Sequence, residues 1–215
     1  MNCDLVIAHY NENISWISKI NRSNIRYIFI YTKSNSSILP QSLQDNQKII
    51  HQYSPNIGRE SESYLKYCID KYNDLSDFTL FLQGNPAPHG VDSNKILKWL
   101  DIIDKNPEYD YTKNWQTNSI YMGLKNGRRD GWRGPTQPSE YNMTDWFKHY
   151  INKTIDPYKA KIYFGACFGI KQTAILSRPI DLYQNIVTNE LQTINPEACH
   201  YLERAWFYLF NLDLI

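Results

Sequence analysis

Between Leu5 and Leu82 the chain alternates apolar runs of strand length with segments of helical periodicity, and this alternation limits what it can fold into. Leu5-Val6-Ile7-Ala8 is a continuous apolar run, followed after Asn13 by Ile14, Trp16, Ile17 and Ile20 in a helical pattern. Tyr27-Ile28-Phe29-Ile30-Tyr31 is a second run and Ile49-Ile50 a shorter third. Tyr64, Leu65, Cys68, Ile69 and Tyr72 share one face of a helix expected from about Arg59 to Tyr72. Phe78-Thr79-Leu80-Phe81-Leu82 then reads as a strand that stops at Gly84, Pro86 and Pro88. Strands separated by helices imply right-handed crossovers and a mostly parallel sheet flanked by helices. Ligands of such sheets sit outside the carboxyl ends of the strands.

The second half is less regular. Ile96, Leu97, Leu100 and Ile103 predict a helix, and residues 107–138 mix Tyr, Trp, Gly, Pro and Arg as a binding loop would. A helix near Ser139–Ile151, a strand near Lys161–Ile170, and helices opening at Pro179 and Pro196 complete the expectation. No repeat or composition break divides the 215 residues, so one α/β domain over 1–215 is expected.

Charge and thiols exclude several classes. Lys and Arg total 23 against 22 Asp and Glu, so no global field would gather a polyanion, and nucleic acid is not an expected partner. No run reaches the roughly 20 apolar residues that span a bilayer, and no secretory leader is evident. Cys3, Cys68, Cys167 and Cys199 are too scattered for a zinc ribbon and read as free thiols. The expectation is a soluble cytoplasmic protein, with a peripheral membrane position left open. Heavy use of Lys, Asn, Ile and Tyr is compatible with the AT-rich genome of a bacterium or large virus.

Three polar segments follow the apolar runs. His9-Tyr10-Asn11-Glu12 closes the first strand, where a following helix would offer backbone N–H groups to an anion, although Asn11 and Asn13 also suit a plain turn. Asn56-Ile57-Gly58-Arg59-Glu60 opens the predicted helix, with Gly58 allowing positive φ and Arg59 a fork for phosphate or carboxylate. Gln83-Gly84-Asn85 and His89 mark the abrupt polar end of the later strand.

In this order the segments resemble glycosyltransferases of the GT-A fold: Tyr10-Asn11-Glu12 after the first strand, Asn56, Gly58 and Arg59 opening a helix, and a hydrophobic strand ending where those enzymes carry Asp-x-Asp. The likeness is closer still to a domain-of-unknown-function family of fungi, bacteria and large viruses. The shared words there are N-x-G-R-E, F-L-Q-G-x-P and a late H-x-L-E-R, here His200-Tyr201-Leu202-Glu203-Arg204. The resemblance implies a GT-A-like, Rossmann-like sheet. Residues 1–90 would bind a nucleotide sugar through His9, Tyr10, Asn11, Glu12, Asn56, Gly58, Arg59, Gln83, Gly84 and Asn85, and residues 91–215 would hold the glycan acceptor. It also implies Glu203 as the base that takes the acceptor's proton, with inversion at the anomeric carbon.

One departure matters for Mn²⁺ or Mg²⁺. Gln83-Gly84-Asn85 stands in place of Asp-x-Asp, and hard cations usually recruit carboxylates, so Asn85 is a weak metal ligand. Arg59, Lys113, Arg128, Arg129 or Arg133 would then meet the charge of the leaving diphosphate, and Asp92 and His89 lie near enough to rescue a metal site. On the late helix, Ala198, Tyr201, Leu202, Ala205, Trp206 and Leu209 form a core stripe. Glu203 falls about 130° from its centre at ~100° per residue, with His200 and Arg204 on the polar side. Trp115 and Trp132, with His200 and Arg204, are the acceptor-side candidates, Tyr121 and Trp146 adding aromatic faces. Glu12, Asp130, Asp145 and Glu197 are alternative bases. A non-catalytic carbohydrate- or nucleotide-binding module on the same fold is the competing reading.

Overall fold

The computed structural model describes residues 1–35, 38–105, 136–154 and 166–210, with the backbone of short strands at 117–118, 124–125, 128–129 and 161–162. The main sheet is five-stranded. Its strands are β1 (Cys3–His9), β2 (Ile25–Thr32), β3 (Ile49–Tyr53), β4 (Phe78–Gln83) and an edge strand, β5 (Phe168–Lys171). Their order is β3-β2-β1-β4-β5, all parallel except β5, which runs antiparallel to β4. This is the mostly parallel α/β sheet that the sequence implies.

Side-chain alternation divides the core in two. Val6, Phe29, Tyr31 and Phe81 point to one face, where they meet helices α1 (Arg59–Asp70), α2 (Ile180–Glu190) and α3 (Glu197–Leu209). Leu5, Ile7, Ile28, Ile30, Leu80 and Leu82 point to the other, against Ile96, Leu100 and Ile103 of the helix Ser93–Lys105. Burial on both faces explains why these strands are continuous apolar runs rather than alternating ones. Each fully buried Leu, Ile or Phe contributes roughly 1.5–3 kcal/mol.

At the amino-terminal edge of the sheet, Asp4 is fully buried but paired. Arg26 donates to both of its oxygens, at 3.0 and 2.6 Å, and Tyr67 Oη donates to Oδ2 at 2.8 Å. The β1–β2 register shifts between Cys3 and Leu5, where the Tyr27 N–H turns to Asp4 Oδ1 at 3.2 Å. This network lies at the opposite end of the strands from the cleft described below.

Several expectations are corrected. Ile14 to Ile20 forms only a 3-10 turn, Ser15–Lys19, whose Ile14, Ile17 and Ile20 are buried in the core on the face that carries Leu5 and Ile7. The helix expected from Ser139 starts at Met143, where Asn142 caps it by accepting from the Asp145 N–H, and ends in a π-helical turn, Phe147–Ile151. The strand expected at 161–170 is two: Lys161–Ile162 pairs with Thr117–Asn118, whereas β5 joins the main sheet. The helices opening at Pro179 and Pro196 are present, each proline preceding the first helical residue.

Candidate functional site

The carboxyl ends of β1, β2 and β4 open into a cleft of about 470 Å³. Ala8, His9, Tyr10, Glu12, Lys33, Asn56, Arg59, Glu60, Gln83, Ile194 and Asn195 line it. Its position follows from chain direction: three parallel strands end side by side, and each hands over to a polar turn.

The turn after β1 is fixed by its own polar groups. His9 is buried, its Nε2 3.1 Å from the Glu12 carbonyl and its Nδ1 2.9 Å from Thr32 Oγ1. A carbonyl only accepts, so Nε2 carries the proton there. With a neutral ring, Thr32 donates to Nδ1 and accepts from His51 Nε2, 2.9 Å away. The His51 pKa is lowered, first by burial and then by His9. His9 is thus a strut between β1 and β2 as much as a lining residue.

Glu12 and Gly84 join the β1 and β4 ends. Glu12 Oε2 accepts from the Tyr10 N–H at 2.7 Å. A Cβ on Gly84 would stand 2.8 Å from that oxygen, so the glycine makes room for the carboxylate. Gly84 N–H donates to the Ala8 carbonyl at 2.8 Å, and Trp16 Nε1 donates to the Gly84 carbonyl at 2.8 Å.

The third wall is the turn before α1. Lys33, buried at the end of β2, donates to the carbonyls of Ile57 (2.7 Å) and Pro55 (3.3 Å), on either side of Asn56, and to the Glu62 carboxylate. Ser54 Oγ also donates to Glu62. Burial lowers the Lys33 pKa, an effect that Glu62 opposes. Gly58 and Arg59 follow, both left-handed at φ 60° and 49°. A Cβ on Gly58 would lie 2.6 Å from Glu62 Cβ, which demands glycine. A positive φ at Arg59 is strained, and such strain gathers at functional sites. The Arg59 guanidinium lies 3.4 Å from Asn195 Oδ1 and 3.7 Å from Glu60 Oε2, and no side chain caps α1.

Of the residues expected from the sequence, His9, Tyr10, Glu12, Asn56, Arg59 and Gln83 share this lining. Gly58 and Gly84 are buried behind it, shaping the turns rather than facing the cleft. Asn11 and Asn85 are exposed but outside the lining, as is His89. Trp115 and Trp132 lie outside the described residues, as do Tyr121, Lys113, Arg128, Arg129, Asp130 and Arg133 as side chains. Trp146 is wholly buried in the core instead of presenting a face to a ligand. Asp145 serves its own helix N-terminus, and Glu197 accepts from the Ser139 N–H at 3.2 Å in the interior.

The late helix departs most from expectation. α3 packs on α1 and on the strand Lys161–Ile162, so it is buried around nearly its whole circumference. His200 and Arg204 are therefore interior, each 4% exposed, and Arg204 donates to the His200 carbonyl at 2.6 Å. Glu203 is half-buried, 3.7 Å from Arg204, and is not among the described residues lining the cleft. Besides Ala8 at the strand end, the lining residues outside the expected set are Lys33, Glu60, Ile194 and Asn195. Glu60 stands within the N-x-G-R-E word, so that word held the signal.

The family model described as "Protein of unknown function (DUF3431)" matches residues 5–215. The chain belongs to this family. No match is found among curated proteins. Among solved structures, CMP:2-keto-3-deoxy-manno-octonic acid synthetase complexed with CTP is similar over 87% of this chain and 78% of that one, at 12% identity and a TM-score of 0.35. A likeness that slight says nothing of what this DUF3431 protein does.

All four cysteines are buried thiols. Burial raises each of their pKa values, that of Cys167 to about 12, which disfavours a nucleophilic thiolate. Among the described residues, no three or more His, Cys, Asp or Glu side chains gather as a metal site would require. At the Gln83–Asn85 turn the adjoining carboxylate is Glu12, already engaged with Tyr10. Among the described residues, one carboxylate beside neutral amides is a poor donor set for a resident Mn²⁺ or Mg²⁺ there. No described helix is long and apolar enough to cross a membrane.

Proposed function

We propose that this DUF3431 protein is a glycosyltransferase, and that the cleft at the ends of β1, β2 and β4 takes its nucleotide-diphosphate sugar. The observation that carries the reading is the convergence of His9–Glu12, Asn56–Glu60 and Gln83 on one cavity of about 470 Å³, a size suited to such a ligand.

In this reading the lining residues divide the ligand among them. Tyr10, 46% exposed at the cleft, offers a ring for base stacking. Asn56, Gln83 and Asn195 supply amides for ribose and sugar hydroxyls. Arg59, at the uncapped amino end of α1, suits the diphosphate, because its fork and the helix dipole both favour an anion. The Gln83 turn suits it less, because the Glu12 carboxylate stands there with no described lining cation beside it.

In the transfer, an acceptor hydroxyl attacks the anomeric carbon as the bond to the diphosphate oxygen breaks, and the hydroxyl proton passes to a carboxylate. Within the described lining the carboxylates open to that role are Glu60 and Glu12, and this reading gives it to Glu60 and leaves Glu12 to the sugar. Glu203 remains the alternative base. Direct displacement inverts the anomeric centre.

The test is release of nucleoside diphosphate from a panel of UDP-, GDP-, ADP- and dTDP-sugars offered with oligosaccharide acceptors, with and without Mn²⁺. Glu60→Gln is expected to lower turnover by the 10²–10⁴-fold typical of a general base while donor binding persists. Loss in Glu203→Gln instead would move the base to α3. The non-catalytic module is favoured by one observation, that Gln83-Gly84-Asn85 stands where metal-dependent enzymes of the resembled fold carry Asp-x-Asp. Measurable donor or glycan binding with no release from any donor would establish it.

A further inference from the structure

The charges around the cleft bear on which sugar it accepts, an inference that rests on the nucleotide-sugar reading. Among the described lining residues the cations are Lys33 and Arg59, and the carboxylates are Glu12 and Glu60. The Lys33 ammonium is turned inward to Glu62 and two carbonyls, which leaves Arg59 as the described cation facing the cavity. Arg59 sits on the α1 side, 3.7 Å from Glu60, so a diphosphate drawn to it would lie against that wall. The opposite wall, at the β1 and β4 ends, holds Glu12 and Gln83 and no described cation.

The Glu12 carboxylate is directed onto that wall by its own turn. Its Oε2 accepts the Tyr10 N–H at 2.7 Å and rests over Gly84, whose missing Cβ creates the space. Gly84 is itself anchored by its N–H to Ala8 and by Trp16 to its carbonyl. A carboxylate placed in this way accepts hydrogen bonds only from donors, such as a pair of neighbouring sugar hydroxyls, and repels another carboxylate brought beside it. The Gln83 amide at its side can both donate and accept.

We infer that Glu12 is a specificity-determining residue: it accepts hydroxyls of an uncharged hexosyl or pentosyl group and excludes nucleotide-linked sugar acids. The wall that carries Glu12 and Gln83 is the sugar subsite, and the Arg59 wall is the phosphate subsite.

Matched donors that differ only in oxidation at C6 test this directly: UDP-glucose against UDP-glucuronic acid, and GDP-mannose against GDP-mannuronic acid, each titrated calorimetrically. The wild-type protein should bind the neutral member of its preferred pair at least about tenfold more tightly, as expected for one like-charge contact near a protein surface. Glu12→Gln retains an oxygen for the Tyr10 N–H while removing the charge, and it should narrow that ratio to within about threefold, chiefly by tighter binding of the sugar acid. Equal wild-type affinity for both members, or an unchanged ratio in Glu12→Gln, overturns the inference while leaving the nucleotide-sugar reading intact. Failure of the wild type to bind any nucleotide sugar overturns that reading itself. Should Glu12→Gln fail to fold, the wild-type ratio alone decides.

Discussion

Lys33 and Glu62 form an ion pair inside the protein, with side chains only 5% and 6% exposed, directly behind the turn that carries Asn56 and Arg59. Removing one partner leaves a buried charge, whereas removing both leaves an apolar cavity wall, so the pair is strongly non-additive. Lys33→Met alone should cost about 3–5 kcal/mol of folding stability, and Lys33→Met with Glu62→Leu should cost markedly less. Urea denaturation of the two variants measures this. Equal losses would mean that the pair is hydrated and not a strut.

Gly58 and Gly84 stand within the same site for different reasons. Gly58 is left-handed and an added Cβ would press on Glu62 Cβ and Leu191 Cβ, so Gly58→Ala should destabilise the fold by about 2 kcal/mol or more. Gly84→Ala meets the Glu12 carboxylate at 2.8 Å, the far end of a side chain, and the Ala8 carbonyl less closely at 3.3 Å, so it should cost less than Gly58→Ala, yet weaken donor binding by displacing that carboxylate. Thermal unfolding and donor titration of both variants separate the two effects, and a stability loss at Gly84 equal to that at Gly58 would contradict the assignment.

Arg59 holds a left-handed backbone, φ 49°, that costs a non-glycine residue about 1–2 kcal/mol. Arg59→Gly should therefore leave stability unchanged or raise it by about 1 kcal/mol while weakening nucleotide-sugar binding at least tenfold. Such a gain of stability with loss of binding marks strain kept for a ligand. A stability loss without a binding defect would make Arg59 merely structural.

His51 gives the fold a pH dependence of known sign. Its folded pKa lies below the ordinary 6.5, because burial disfavours the charged ring and His9 repels it. Between the two values the unfolded chain takes the proton and the folded one does not, so stability falls as pH drops below 6.5 and recovers as it rises. His51→Gln can still donate to Thr32 and should flatten this slope in unfolding scans from pH 7 to 5. An unaltered slope would place the sensitive group elsewhere.

The framework of the sheet was legible because burial on both faces leaves plain apolar runs at Leu5–Ala8, Tyr27–Tyr31 and Phe78–Leu82. Gln83 and Asn56–Arg59 could be placed at one edge because parallel strands all end on the same side. Ile194 and Asn195 could not, since they reach the cleft from a segment well over a hundred residues away in sequence, tied to Gly58 by the Thr193 carbonyl at 2.8 Å. Lys33 carries no signal in the sequence, because only the folded chain sets Glu62 and the Pro55 and Ile57 carbonyls around it. His200 and Arg204 were misplaced because a helical wheel shows a polar side without showing whether another element covers it, and α3 is covered.

The most direct measurement is a crystal structure of the protein soaked with the nucleotide sugar that binds best in titration. The diphosphate is expected beside Arg59, with the base against Tyr10 and the sugar between Gln83 and Glu12. A nucleotide bound away from residues 9–12, 56–60 and 83, or no binding of any nucleotide sugar at millimolar concentration, would contradict the proposed function.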